Sequence, residues 1–332
     1  MRKLPEINNV RMNSMAGKEK LNIDLVIPVY NEVEVIDHTH ARLLVTLSSL
    51  DQEFCILYVN DGSTDDTLRI LEELSAKDKR VKILSLSRNF GHQAALTAGM
   101  DAATGEIVIT LDGDGQHPPE MIPQMVELIK QGYDIVQTQR MDETVPASFK
   151  KWASATFYRL MNILSGTQVV PGSADFRALS RDAVDALKSM PEYHRFLRGM
   201  VSWIGYKSVI LPYQPSDRIL GKTKYSLRKR LRLAMDAIFS FSLVPLYIGI
   251  SLGAMMVCLA LLEMIYVLSF WATGQTSNLA PGWSSLMFVV LIVGGLLMAM
   301  VGFIGIYVGF IFQEVKRRPV YLIKKGEHDE GE

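Results

Sequence analysis

Between Asn22 and Gln139 the chain alternates short runs rich in β-branched and aromatic residues with longer amphipathic stretches. The runs IDLVIPVY, FCILYVND, VKILSLS, EIVITLD and DIVQTQ predict strands, and VIDHTHARLLVTLSSL, TDDTLRILEELSA, QAALTAGMDAA and PEMIPQMVELIKQG predict the helices between them. Strand and helix in strict succession predict an α/β fold with a mainly parallel sheet covered on both faces. From Ser148 to Gln214 the pattern is mixed: KKWASATFYRLMNIL and RDAVDALKSM read as helical, and KSVILPY reads as a strand.

Beyond Leu243 the pattern changes character, because Glu263 is the only charged residue between Leu243 and Gln313. Two apolar segments, about Leu243–Trp271 and Ser284–Phe312, each exceed the ~20 residues a helix needs to cross a bilayer, which predicts two transmembrane helices. A pair of apolar core helices is the competing reading, but soluble helices of this length normally carry a polar face. The connection TGQTSNLAPGW has no Lys or Arg, whereas Arg228, Lys229, Arg230 and Arg232 precede the first span and Lys316, Arg317 and Arg318 follow the second. This asymmetry places the N-terminal part and the tail in the cytoplasm. Residues 226–242 read as a basic amphipathic helix on the membrane surface. The expected organisation is a flexible lead (1–20), an α/β domain (21–225), the juxtamembrane helix (226–242), two spans (243–312) and a cytoplasmic tail (313–332).

Composition adds little to this. A chain of 332 residues with 48% apolar and 21% charged residues folds, and a net charge of zero averages over unlike parts. Cys55 falls in a strand and Cys258 in a span, so neither a disulfide nor a metal cluster is suggested. The first twenty residues lack the apolar run of a signal peptide.

The chemistry gathers where predicted strands end. Ligands of parallel sheets sit outside the carboxyl ends of the strands, and there the sequence places Pro28, Tyr30, Asn31 and Glu32, then Asn60, Asp61 and Gly62, then Arg88, Asn89 and Gly91, then Asp112 and Asp114. In ITLDGDGQHPP the two carboxylates lie one residue apart. In an extended segment they would face the same point, an arrangement that wants a cation. A dinucleotide fingerprint is excluded, since Gly113 and Gly115 are not followed by a third glycine at 118 and carboxylates repel a pyrophosphate. Mg²⁺ or Mn²⁺ reverses that sign; a solvated Asp-Gly turn is the bland alternative. The run Ser63 to Asp66 resembles a capping box, which leaves Asp61 to accept a hydrogen bond from a base edge. Glu32 either caps a helix or binds a ribose hydroxyl. Arg140, Arg218, Lys222 and Lys224 are candidate phosphate-binding cations, whereas Arg228 to Arg232 suit lipid heads. His38, His40, His194 and His328 have no partners at ligand spacing. Glu263 fits snorkelling or a subunit contact better than catalysis.

IPVYNE, VNDGSTDDT, SRNFGHQAALTAGMDAATGE, LDGDGQHPPE and GSADFRALSRD, in this order and spacing, resemble the family 2 glycosyltransferases of GT-A, Rossmann-like fold. The last motif, the MPEYHRFLRGMVSWIG and RILGKTKYS segments and the two apolar stretches narrow the resemblance to polyisoprenyl-phosphate glycosyltransferases related to dolichol-phosphate mannose synthase and to bacterial undecaprenyl-phosphate glucosyltransferases. It covers about Ile23 to Arg318. The resemblance implies that Asp112 and Asp114 hold the metal and the donor diphosphate with Gln116 beside them. It implies that Pro28, Tyr30, Glu32 and Asp61 form the nucleotide pocket, and that Asp175 is a catalytic-base candidate near the reacting sugar. This chain departs from the family pattern at His92, where relatives often carry Lys, and at Gly115-Gln116-His117, in place of the commoner Leu-Gln-Asp.

The implied partners are a nucleotide-diphosphate sugar, with UDP-glucose the first choice and GDP-mannose the second, a polyisoprenyl phosphate and the lipid bilayer, with Mg²⁺ or Mn²⁺ as cofactor. The resemblance also implies a homo-oligomer, a tetramer by analogy, in a bacterial inner membrane, with no nucleic acid among its partners. A lipid phosphate, largely dianionic above a second pKa of about 6, needs little deprotonation, so charge balance is an alternative role for Asp175. Direct displacement by it would invert the anomeric carbon. Two rivals remain at this stage. A processive polysaccharide synthase would want a Q-x-x-R-W element, and QTQRM at Gln137 comes too early and lacks the Trp. A silent nucleotide-binding adaptor would not need Asp112, Asp114 and Asp175 intact.

Overall fold

The computed structural model describes residues 20–141, 173–193, 195–214, 244–274 and 282–324. Along the chain these form β1 (Asn22–Val29), α1 (Ile36–Ser48), β2 (Glu53–Asn60), α2 (Thr67–Lys77), β3 (Val81–Ser85), α3 (His92–Ala102), β4 (Ile107–Thr110), α4 (Ile122–Lys130), β5 (Ile135–Arg140), β6 (Ser173–Ser180), α5 (Arg181–Lys188), α6 (Leu197–Trp203), β7 (Ser208–Tyr213), α7 (Val244–Thr273) and α8 (Trp283–Lys316). The first thirteen build one seven-stranded sheet in the order β3-β2-β1-β4-β6-β5-β7 and the helices around it.

β1 lies at the centre and reads NIDLVIPV because both its faces are covered; only Asn22 is exposed. Helices pack on it through apolar stripes, Ile36, Leu43 and Leu47 from α1 and Ile122, Met125, Val126 and Ile129 from α4. α3 comes closer than the others. Its run from Ala94 to Met100 is buried, and a Cβ on Gly99 would lie 2.2 Å from Val26 Cγ1. Small residues let this helix press against β1 and β2, and its first residue, His92, thereby arrives at the carboxyl ends of the strands.

The strands and helices expected from Ile23 to Gln139 are all present. The sheet is mainly parallel but mixed, because β6 runs antiparallel between β4 and β5, pairing Thr110 with Arg177 on one side and Gln137 with Arg177 on the other. The segment SADFRALS carries two charged residues at buried positions and gives no strand signal in the sequence. As a consequence Asp175 enters the same rim as the carboxyl ends of β1, β2 and β4. A second difference concerns β4, which ends at Thr110, so Asp112 and Asp114 stand in the following turn rather than in an extended strand. The expected capping also differs: the N-cap of α2, Asp66, makes no side-chain capping hydrogen bond, Asp65 Oδ1 accepts from the Thr67 amide at 3.1 Å, and Ser63 Oγ accepts from the Asn31 amide at 3.1 Å.

The chain divides into two compact units. One comprises Met1–Asn162, Gly166–Tyr225 and Pro319–Glu332, and the other Ile163–Ser165 and Ser226–Arg318. In the first unit the segment after α8 adds to the free edge of β3, with an antiparallel bridge between Leu86 and Ile323, the Ser87 amide donating to Leu322 O at 2.8 Å and the Lys324 amide to Ser85 O at 2.8 Å. Tyr321 donates its hydroxyl to Asp101 Oδ2 at 3.0 Å. In the second unit both apolar stretches are helical, as α7 and α8. Among the described residues one segment, Ile292–Lys316, is long and apolar enough to cross a membrane, with a mean hydropathy of 2.3 and none of it buried within the protein. The expected juxtamembrane helix lies outside the described residues.

Candidate active site

The turn after β4 keeps a period of two in exposure: Asp112, Asp114 and Gln116 are half-buried, while Leu111, Gly113, Gly115 and His117 are buried. The two carboxylates do emerge on one side, although not through strand geometry. Their oxygens are used differently. Asp114 holds Gln116, accepting from its backbone amide at 3.1 Å and from its side-chain amide, and Gln116 Oε1 accepts from Arg140 Nη1 at 3.3 Å. Asp112 Oδ1 is buried and has no hydrogen-bond partner. The nearest cation, His92 Nε2, is 3.3 Å from it but out of hydrogen-bond alignment.

Asp175 lies on β6 and is 3% exposed. Its Oδ1 accepts from Arg177, which is equally buried, and Arg198 of α6 forks across the carboxylate with Nε 3.2 Å from Oδ1 and Nη2 3.0 Å from Oδ2. Gln93 Nε2 at 3.4 Å and His92 Nε2 at 3.4 Å complete the shell. Burial opposes the charge of Asp175, but Arg198, His92 and Arg177 outweigh it and hold the carboxyl well below its usual range. Burial likewise opposes protonation of His92, and the Asp112 and Asp175 carboxylates overcome it, lifting the imidazole to about 9. His92 is therefore an imidazolium at neutral pH, bridging the carboxylate of the β4 turn and the carboxylate of β6.

At the other end of the rim, Tyr30 is 39% exposed and Pro28 is buried at the end of β1. Asn31 takes a left-handed conformation (φ 54°) and its side chain exchanges hydrogen bonds with Thr64. The Glu32 amide donates to Thr67 Oγ1 at 3.0 Å. Asp61, expected to face a base edge, is 3% exposed and accepts the Phe90 amide on Oδ1 at 2.7 Å and the Gly91 amide on Oδ2 at 3.0 Å. It clamps the loop that delivers His92. Burial pushes its pKa up, against the two amides that pull it down. Gly62 makes the clamp possible, since with φ +64° it sits where a Cβ would be 2.5 Å from the backbone of Arg88.

A divalent ion fits this turn. Among the described residues no group of three or more His, Cys, Asp or Glu side chains forms a closed cage, and Mg²⁺ or Mn²⁺ used with a phosphate substrate takes only one or two protein carboxylates. The orphaned oxygen of Asp112 is a donor of the right kind, with Asp114 two residues on. Of the expected site residues, Asp112, Asp114, Gln116 and Arg140 sit at the carboxyl ends of β4 and β5, Asp175 near the amino end of their antiparallel neighbour β6, and Pro28, Tyr30, Glu32 and Asp61 at the carboxyl ends of β1 and β2. Arg218, Lys222 and Lys224 lie outside the described residues. Sequence reasoning missed the roles of His92, Gln93, Arg177 and Arg198. The signal available for His92 was its place as a departure from the family pattern, and for Arg177 its place inside A-D-F-R.

A parallel-dominated sheet whose polar residues crowd one carboxyl rim, beside a half-open acidic turn, defines an α/β enzyme of the nucleotide-binding class. The sequence profile described as "Glycosyl transferase family 2" matches residues 24–188. The uncharacterized glycosyltransferase YkcC of Bacillus subtilis is 40% identical over 92% of this chain and 94% of its own. The uncharacterized glycosyltransferase sll0501 of Synechocystis is 37% identical over 91% and 95%, and the prophage bactoprenol glucosyl transferase homolog of Escherichia coli is 37% identical over 92% and 99%. The chain belongs to glycosyl transferase family 2, and its α/β unit has the GT-A arrangement with a mixed, mostly parallel sheet. Within that family it is of the type to which the bactoprenol glucosyl transferases belong.

Proposed function

We propose that the protein is a membrane-anchored, inverting hexosyltransferase that moves a sugar from a nucleotide-diphosphate donor to a polyisoprenyl phosphate at the cytoplasmic face. UDP-glucose is the favoured donor and GDP-mannose the second. Relatives named for bactoprenol glucosyl transfer support the acceptor and the sugar, and the apolar Ile292–Lys316 segment supports the anchor. The observation that carries the reading is the juxtaposition of Asp112, with its unpartnered oxygen, and the arginine-clamped Asp175, tied together by His92.

Charge decides the roles. A phosphate acceptor is mostly dianionic at neutral pH, so it needs cations to approach an anionic donor more than it needs a base. Asp175, ionised and held by two guanidinium groups, is a weak proton acceptor; its work is to fix Arg177 and Arg198 and to balance His92. Arg198, 32% exposed, and Arg140 face the side from which an acceptor phosphate arrives, with Arg218, Lys222 and Lys224 as further candidates. Asp112 and Asp114 would hold a Mg²⁺ or Mn²⁺ ion, which when bound would neutralise charge on the leaving diphosphate. Gln116, braced between Asp114 and Arg140, orients that acidic turn. Pro28, Tyr30 and Glu32 line the nucleotide side, and Asp61 holds its wall.

Purified protein given Mg²⁺ or Mn²⁺, a polyprenyl phosphate and a panel of UDP- and GDP-sugars is expected to form a chloroform-soluble glycolipid, most with UDP-glucose. Absence of glycolipid with every donor, while UDP still binds, would sink the transferase reading.

A further inference from the structure

We infer that His117 is a positioning residue that sets the Asp112 carboxylate for the divalent ion, by occupying its backbone amide and seating the turn on β6 and β7. The inference rests on the metal reading of Asp112 given above.

Three observations carry it. First, the Asp112 amide donates to His117 Nδ1 at 3.0 Å. That nitrogen is therefore the acceptor, and in the neutral ring the hydrogen sits on Nε2. Second, Nε2 lies 3.6 Å from Asp112 Oδ2, close enough for electrostatic contact though beyond a hydrogen bond, while the buried Oδ1 lies 3.3 Å from His92 Nε2. The carboxylate thus stands between two imidazoles, each nearer a different oxygen. Third, the ring cannot drift. Its side chain is 6% exposed, it stacks on Phe176 with centroids 5.2 Å apart and an interplanar angle of 17°, and it meets the edge of Tyr213 at 6.0 Å. Phe176 is fully buried on β6 between Asp175 and Arg177, and it also packs edge-on against Tyr213 at 6.3 Å.

The consequence is mechanical. The turn Asp112–His117 is anchored not to β4 alone but to the aromatic seat on β6 and β7, which holds the metal carboxylate in register with the strand that bears Asp175.

The test uses full-length protein in detergent and measures UDP affinity by calorimetry with Mn²⁺ and with chelator, alongside thermal unfolding. H117F keeps the ring stack and removes both polar functions; H117Q restores an acceptor and a donor. Since partners of metal-bound carboxylates are worth about 10- to 100-fold in metal affinity, H117F is expected to lose about tenfold or more of the Mn²⁺-dependent gain in UDP affinity, with binding in chelator unchanged and H117Q recovering most of the loss. A full Mn²⁺ gain in H117F, with only the melting temperature lowered, overturns the positioning role and leaves the metal reading standing. If H117F does not fold, H117A and H117Q decide together: a loss of Mn²⁺-dependent gain in H117A that H117Q recovers supports the inference, and a full gain in H117A, or an equal loss in both, overturns it. Wild-type protein that binds UDP equally with and without Mn²⁺ overturns the metal reading, and this inference with it.

Discussion

Asp175 stays charged inside the protein because Arg198, His92 and Arg177 neutralise it, and Arg177 is as buried as its partner. Removing one member of a buried ion pair strands the other, which costs about 3–5 kcal/mol. Asp175→Asn is expected to lower stability on that scale and to lose turnover, both measurable by denaturant unfolding and glycolipid assay. The pH dependence follows from the sign of the shift. A carboxylate whose pKa is depressed on folding contributes its full stability above the ordinary Asp value, and that contribution disappears as pH falls through the folded pKa. The stability gap between wild type and Asp175→Asn should therefore narrow on acidification below about pH 5, and narrow again as pH rises from the ordinary His range toward about 9, because Asp175 also helps to hold the His92 imidazolium; a gap that widens in acid would contradict the charge assignment. His92→Gln removes the cation between Asp112 and Asp175 and is expected to reduce kcat more than UDP affinity. An unchanged kcat would remove His92 from the reacting centre.

At the scale of elements, the β2–α2 turn and the loop after β3 are fitted to each other through Gly62 and Asp61. Gly62→Ala would need a left-handed alanine and a Cβ 2.5 Å from the Arg88 backbone, which cannot swing aside. The expected outcome is a loss of about 1–3 kcal/mol together with weaker UDP binding, as the loop shifts and takes the Phe90 and Gly91 amides off Asp61. Normal UDP affinity in a folded Gly62→Ala protein would show that this clamp does not shape the nucleotide side. β6 is the other decisive element. Thr110 Oγ1 donates to Asp175 O at 2.6 Å and Thr138 Oγ1 to Phe176 O at 2.6 Å, so both neighbouring strands grip the segment that holds the acid. Its register is what brings Asp175 level with the end of β4.

On the scale of the whole molecule, the residues after α8 return to the α/β unit and cover the edge of β3, the strand whose following loop carries Arg88 to Gly91. An uncovered edge strand loses hydrogen bonds and invites association with other chains. Truncation after Arg318 is expected to lower the melting temperature and promote aggregation on heating, and Tyr321→Phe, which loses one hydrogen bond, to cost about 1 kcal/mol. Equal melting temperatures for truncated and full-length protein would mean the added strand contributes nothing.

Much of this protein follows from local pattern. Periodicities of 2 and 3.6 are written into short windows, so the strands and helices from Ile23 to Gln139, the helical apolar stretches near the C-terminus and the acidic turn at Asp112 are legible without coordinates. Pairing is not local. SADFRALS is polar where a central strand is normally apolar, and only its insertion between β4 and β5 supplies the arginine shell that makes a buried Asp175 tolerable. The same holds for Asp61, whose carboxylate belongs to backbone amides thirty residues away, for His92, which small residues on α3 bring to the rim, and for His117, whose ring finds its seat on β6. Sequence by itself determined which groups could do the chemistry; the tertiary structure decided which of them meet, because a buried charge or a free carboxylate oxygen has meaning only through neighbours that chain order does not specify.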